Sequence, residues 1–184
     1  RDGIATLQPQ EARQLENWTP VGSTVSPRPG TTLFSDSSET DPVETLAAYD
    51  GMSGMALIGV AGGDIYDVSG ATASSLSAAG YTDSRFQTEC YNDRLIGVNG
   101  TDTPWVYNGS AIAATGFTGV TLTDLINIKK VRNRLWLVEK NSASAWYGGV
   151  GAVTGALTEF DVGQVVAGGY LVAVAAHSYD SGDG

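Results

Sequence analysis

The sequence predicts an all-β protein, and three observations lead there: a repeat of about 40 residues, two β-rich runs in each copy, and abundant glycine. Met55-Ala56-Leu57-Ile58-Gly59-Val60 returns as Asp93-Arg94-Leu95-Ile96-Gly97-Val98 and again as Asn133-Arg134-Leu135-Trp136-Leu137-Val138. The leucines are 95 − 57 = 38 and 135 − 95 = 40 residues apart. Each copy continues into an aromatic run: Asp64-Ile65-Tyr66-Asp67, then Pro104-Trp105-Val106-Tyr107, then Ala145-Trp146-Tyr147. Glycine, at 24 of 184 residues, exceeds the roughly 7% of average proteins and suits many tight turns.

Taken in chain order, each copy begins with an extended stretch: Val43 to Tyr49, Arg85 to Tyr91, and Leu125 to Val131. The leucine run and the aromatic run follow. Ser69-Gly70, Asn108-Gly109 and Gly148-Gly149 then stand where positive φ would turn the chain. Small-residue tracts close each copy, at Gly70 to Gly80, Ser110 to Gly119 and Val150 to Ala156. Three or four short strands per period are the pattern of a β-propeller blade, a small sheet that hides its two faces only against its neighbours. The expected units are residues 43–84, 85–124 and 125–167, with the start of a fourth at 168–184, where Gly168-Gly169-Tyr170-Leu171-Val172-Ala173-Val174 opens a further extended run. Three blades and a fraction do not close a ring, so further blades would come from outside this sequence or from other chains.

Residues 1–42 read as an N-terminal arm with one short helix. Pro9 to Trp18 places Pro9 in a first turn and spaces Ala12, Leu15 and Trp18 for one face. Thr19 to Arg28, with Pro20 and Pro27, reads as extended, and Ser35 to Pro42 as an acidic loop. Arg1 and the closing Ser181-Gly182-Asp183-Gly184 do not resemble natural termini, so the chain reads as a piece of a longer protein.

Composition removes several classes of function. Twenty acidic against ten basic residues give a formal charge of −10, which repels phosphate backbones and argues against a conventional nucleic-acid binder. Cys90 is the single cysteine, so neither an intrachain disulfide nor a thiolate metal cluster is available. No apolar run is long enough to cross a bilayer and no basic-then-apolar leader opens the chain, so it reads as soluble.

No residues are assigned to catalysis, a cofactor or a metal. His177 is the single histidine and reads as structural, since a triad or a multi-histidine site would rest on it alone. Cys90 lies between Glu89 and Tyr91 with nothing nearby to lower its pKa, and reads as a half-buried strand cysteine. Asp180 and Asp183 read as turn residues because the alternating carboxylates of a calcium loop are missing. Gly149 to Gly155 lacks the Lys-Ser/Thr of a phosphate loop and reads as a connection between blades. The carboxylate pairs Asp36 with Glu39 and Asp64 with Asp67 read as solvated turns rather than acid–base pairs. The sequons at Asn17, Asn99 and Asn108 read as turn chemistry.

Charge placement says more. No Lys or Arg occurs between Arg28 and Arg85, whereas eight acids do. Lys129, Lys130, Arg132, Arg134 and Lys140 put five of the ten basic residues within twelve positions. A cluster of that sign, with an acidic stretch elsewhere in the chain, reads as a subunit contact.

The order of several short phrases resembles the tail nozzle or tail tubular proteins of short-tailed bacteriophages. These are Asn17-Trp18-Thr19-Pro20 followed by Arg28-Pro29-Gly30, Gly63-Asp64-Ile65-Tyr66-Asp67-Val68, Val98-Asn99-Gly100-Thr101-Asp102 with Tyr107-Asn108-Gly109, Asn133-Arg134-Leu135-Trp136-Leu137-Val138-Glu139, and Gly168-Gly169 leading to Asp180-Ser181-Gly182-Asp183-Gly184. The resemblance implies a non-enzymatic virion protein without cofactors. It would be assembled in the host cytoplasm as a sixfold ring below the portal and adaptor, contacting other tail proteins such as the adaptor and fibres and passing DNA transiently. A rival expectation is a carbohydrate-binding or carbohydrate-cleaving propeller, with Trp105, Tyr107, Trp136, Trp146 and Tyr147 as stacking platforms. Their recurrence in register with strands reads instead as core.

Overall fold

The structure is a computed structural model and describes residues 16–21, 24–165 and 168–176. It is nearly all β and divides into two compact units, residues 1–33 and 34–184.

In the first unit, β1 (Trp18–Val21) and β2 (Thr24–Pro27) form an antiparallel hairpin. The helix expected over Pro9 to Trp18 is unsupported. Residues 9–15 lie outside those described, Glu16 and Asn17 form a bend with Asn17 at φ 58°, and Trp18 already pairs with Pro27. Thr19 is β-branched and precedes Pro20, which disfavours helical φ/ψ and leaves strand pairing as the way to satisfy its backbone.

The second unit is a stack of three four-stranded antiparallel sheets. The first sheet runs β3 (Val43–Gly51), β4 (Gly54–Ala61), β5 (Asp64–Asp67) and β6 (Ser74–Ser77), each paired with the next. The second repeats this order with β7 (Gln87–Tyr91), β8 (Arg94–Val98), β9 (Trp105–Tyr107) and β10 (Ile112–Ala114). β11 (Phe117–Thr118) leads out of it. The third sheet consists of β12 (Leu125–Val131), β13 (Arg134–Glu139), β14 (Ser144–Tyr147) and β16 (Thr158–Asp161). Between its last two strands, β15 (Gly155–Ala156) reaches back to pair in parallel with β11. No sheet closes on itself, and residues 168–176 form no strand.

Alternation along the strands builds two cores. Ala47, Tyr49, Ile58, Val60 and Ile65 of the first sheet meet Leu95, Trp105 and Tyr107 of the second. The opposite face of the second sheet, with Tyr91, Ile96 and Val98, meets Leu125, Ile128, Leu135 and Leu137 of the third. Neighbouring residues of β8 thus serve different cores, as a period of two requires. Each fully buried Ile or Leu contributes roughly 1.5–3 kcal/mol relative to exposure.

The first hairpin of each sheet turns between Gly51 and Gly54, between Tyr91 and Arg94, and between Val131 and Arg134. The spacing is 91 − 51 = 40 and 131 − 91 = 40 residues. The structural counterpart of Leu95 is therefore Met55, two positions before Leu57. The shift is even, so Leu57 and Leu95 still lie on corresponding faces. Positive φ also falls elsewhere than expected. Of the glycines in the three later turns only Gly109, at φ 90°, adopts it, while Gly62-Gly63 and Asn92-Asp93 supply it at two-residue hairpin turns.

Candidate functional site

Ties between neighbouring sheets follow the repeat. Thr45 Oγ1 donates to the Ser84 carbonyl at 2.6 Å and accepts from the Phe86 amide at 2.7 Å. The Met52 amide donates to Asp93 at 2.8 Å, and Arg85 pairs with Glu44 at 3.0 Å. Between the second and third sheets, Lys129 pairs with Glu89 at 2.6 Å, the Tyr91 hydroxyl donates to the Asn133 carbonyl at 2.8 Å, and Lys140 Nζ donates to the Gly100 carbonyl at 2.7 Å. Each of these links residues 39 to 42 positions apart.

The basic cluster splits. Lys129 and Lys140 are engaged within the chain, Lys140 also pairing with Asp124 at 2.9 Å. Arg134 donates to the Gly148 carbonyl and lies 5.3 Å from the centre of the Tyr147 ring. Lys130 and Arg132 are exposed, Arg132 at a turn with φ 53°.

The aromatics divide too. Trp105 and Tyr107 are buried between the first and second sheets, closed to any ligand. Trp146 packs against the second core and donates from Nε1 to Glu139 at 3.0 Å. Trp136 and Tyr147 are directly opposed on β13 and β14, on the face turned away from the second sheet. Their rings are 5.1 Å apart, and Phe160 on β16 approaches Trp136 edge-on at 6.0 Å. Phe160, which the sequence reading passed over, is 47% exposed. Its signal is an alternating run, Thr158-Glu159-Phe160-Asp161, just beyond the small-residue tract Val150 to Ala156.

On the third sheet residues 168–176 bond at Asn127 and Ser142, with Val138 fully buried, and the outer side of the first sheet is partly exposed. Leu46 and Met55 point there at 62% and 83% exposure, on the same side as Asp50 and Asp64.

The carboxylate pairs brace turns. Asp36 accepts from the Ser38 amide, and Asp67 from the amide and hydroxyl of Ser69. Asp64 and Asp67 sit on opposite faces of β5 and cannot share a cleft. Hydrogen bonds from the Thr40 amide, the Tyr66 hydroxyl and the Asp41 amide hold Glu39 below its ordinary pKa, the reverse of what a glycosidase acid needs. Burial pushes the Asp102 carboxyl up, and donors from the Asn99 side chain and the Thr82 and Asp83 amides more than offset it. A shallow cleft of about 380 Å³ lies beside Asp41, Glu44, Tyr81 and Ser84. Among the described residues no group of three or more His, Cys, Asp or Glu side chains is placed to hold a metal.

Cys90 is half-buried on β7, its thiol on the Asp50 carbonyl. Asn99 and Asn108 accept from turn amides. Gly149 to Gly155 joins the third strand to the fourth strand of one sheet, by way of β15, rather than one sheet to the next. His177, Asp180 and Asp183 lie outside the described residues. No helix among the described residues is long and apolar enough to cross a membrane. No known protein family, curated protein or solved structure matches the chain.

Proposed function

We propose that the three sheets are consecutive blades of a β-propeller and that the chain is a non-catalytic structural component of a short-tailed phage tail. In this role it forms part of a ring-shaped nozzle below the portal and adaptor, through which DNA leaves. The observation that carries the propeller reading is the tie from one sheet to the next at a separation of about 40 residues, made chiefly by the first strands and their leading segments. A rotation repeated from sheet to sheet produces that pattern, and rotation about an axis on the side of the first strands closes a ring.

The virion reading rests on the order of sequence phrases, with support from charge. A conduit for a polyanion benefits from a wall that does not hold its cargo, and a net charge of −10 works against retention. An architectural role also suits aromatics spent on packing and carboxylates spent on turns. Of the five aromatics a carbohydrate site would use, Trp105 and Tyr107 are buried in the first core, and Trp136, Trp146 and Tyr147 are part-buried in the third sheet.

The test is immunogold electron microscopy of short-tailed virions with antibodies to this chain. Label at the distal tail is expected. Tails left unlabelled, or a glycan array with strong signal lost in Trp136→Ala, would overturn the reading.

A further inference from the structure

We infer that the cleft beside Asp41, where the first sheet meets the segment leading into the second, binds a primary alkylammonium group, the chemistry carried by polyamines and by lysine side chains. The next interface shows what this corner of the repeat accepts. Gly62, Gly100 and Lys140 each stand in the turn after the second strand of their sheet. Each follows by two residues a valine, Val60, Val98 or Val138, that pairs with the opening of the first strand at Thr45, Gln87 or Asn127. Between the second and third sheets the Lys140 ammonium lies 2.7 Å from the Gly100 carbonyl, 3.5 Å from the Thr123 carbonyl and 2.9 Å from the Asp124 carboxylate. One positive charge thus joins the turn of one sheet to the Thr-Asp segment that leads into the next.

One interface earlier the same parts recur without the ammonium. Thr82-Asp83 leads into the second sheet as Thr123-Asp124 leads into the third. The Asp83 carbonyl accepts from the Asn99 side chain at 2.8 Å, as the Asp124 carbonyl accepts from the Lys140 amide at 2.8 Å. Gly62 and Thr82, the counterparts of Gly100 and Thr123, line the cleft of about 380 Å³ with Asp41, Glu44, Gly63 and Ser84. The second-sheet residue placed to fill it as Lys140 fills the next is Gly100, which has no side chain; its φ of 74° and the nearby Ile126 side chain oppose one. Glu44 is engaged by Arg85 at 3.0 Å. The Asp41 carboxylate lies against Gly62 and has no ion-pair or hydrogen-bond partner among the described residues. No Lys or Arg occurs between Arg28 and Arg85, so a cation must come from elsewhere, and the surplus of acids draws one in. An ammonium suits the corner because it brings one charge and three donors, whereas a calcium ion takes six or more oxygens.

The experiment titrates 1,4-diaminobutane, and separately a short peptide with one lysine, into the whole chain while NMR follows the amides of Gly62, Gly63 and Thr82. Saturable shifts are expected, and the tighter probe identifies a free polyamine or a protein lysine as the source. Asp41→Asn should weaken binding about 3- to 10-fold. Asp50→Asn, which removes an exposed acid at the other end of β3, should leave it unchanged. Tetramethylammonium, a cation without N–H donors, should not compete. Lys140→Ala empties the second corner, so the diamine should raise its Tm by more than it raises that of wild type. No saturable shift, equal weakening in the Asp41 and Asp50 variants, competition by tetramethylammonium, or a Lys140→Ala chain that the diamine does not restore overturns the inference. Calcium displacing the diamine at a lower concentration would do the same. The site follows from the repeat and is independent of the tail role, so unlabelled virions would leave it standing.

Discussion

Gly97 lacks a side chain where the indole of Trp105, its cross-strand partner, fills the space above it. A methyl there would meet the Trp105 ring, which is fully buried and packed by Phe86 at 5.7 Å, so the ring has little room to give. Gly97→Ala should therefore cost about 1–3 kcal/mol by overpacking. Urea denaturation checks it, and adding Trp105→Phe should recover part of the loss, whereas strictly additive effects would show that the ring is not the obstacle. Asp102 makes a second residue-scale prediction. Its folded pKa lies below the ordinary 3.8, so its stabilisation is complete above that value and fades as pH falls through the folded one. The stability gap between wild type and Asp102→Asn should be constant near neutrality and shrink below about pH 4. A gap that widens in acid would reverse the assignment.

Between elements, the Glu89–Lys129 pair joins the first strands of the second and third sheets, and its two ends differ in exposure. Glu89 retains 12% of its side-chain exposure and Lys129 43%, so removing the base strands a carboxylate that water barely reaches. Lys129→Met is accordingly expected to cost about 1–2 kcal/mol and Glu89→Gln less than about 1, with a coupling of about 1 kcal/mol in the double-mutant cycle. Equal single costs with no coupling would mean that the pair is ornamental. Elements of this kind were legible in the sequence to different depths. The first strands could be read because Val43 to Tyr49 and Leu125 to Val131 mix β-branched and aliphatic residues between turn signals. The fourth strands could not, since Ser74-Ser75-Leu76-Ser77 and Ile112-Ala113-Ala114 carry little β preference and are held by their neighbours' ladders. For the candidate surface, recurrence in register marked Trp105 and Tyr107 as core, but nothing local told Trp136 from Trp146. Which face each presents depends on strand parity relative to a hairpin turn at Arg132-Asn133, and that turn lacks a glycine.

For the molecule as a whole, the arrangement of three sheets around two cores makes the middle sheet the one that cannot open without breaking both. Leu95 sits in one core and Ile96 in the other, and the last four residues of β8 are all buried. An end sheet, by contrast, can separate while a two-sheet core survives, and β16 is exposed along its length. In a stack whose units contact only their neighbours, stability is a sum of unit and interface terms, so opening free energy should rise from the ends toward the middle. Native-state hydrogen exchange is expected to show β8 amides exchanging slowest, at rates near the global unfolding limit. Those of β16 should be released by a smaller opening that leaves the first and second sheets protected. If β8 and β16 instead exchange together, the sheets unfold as one cooperative block, and the description of the molecule as separable repeats fails.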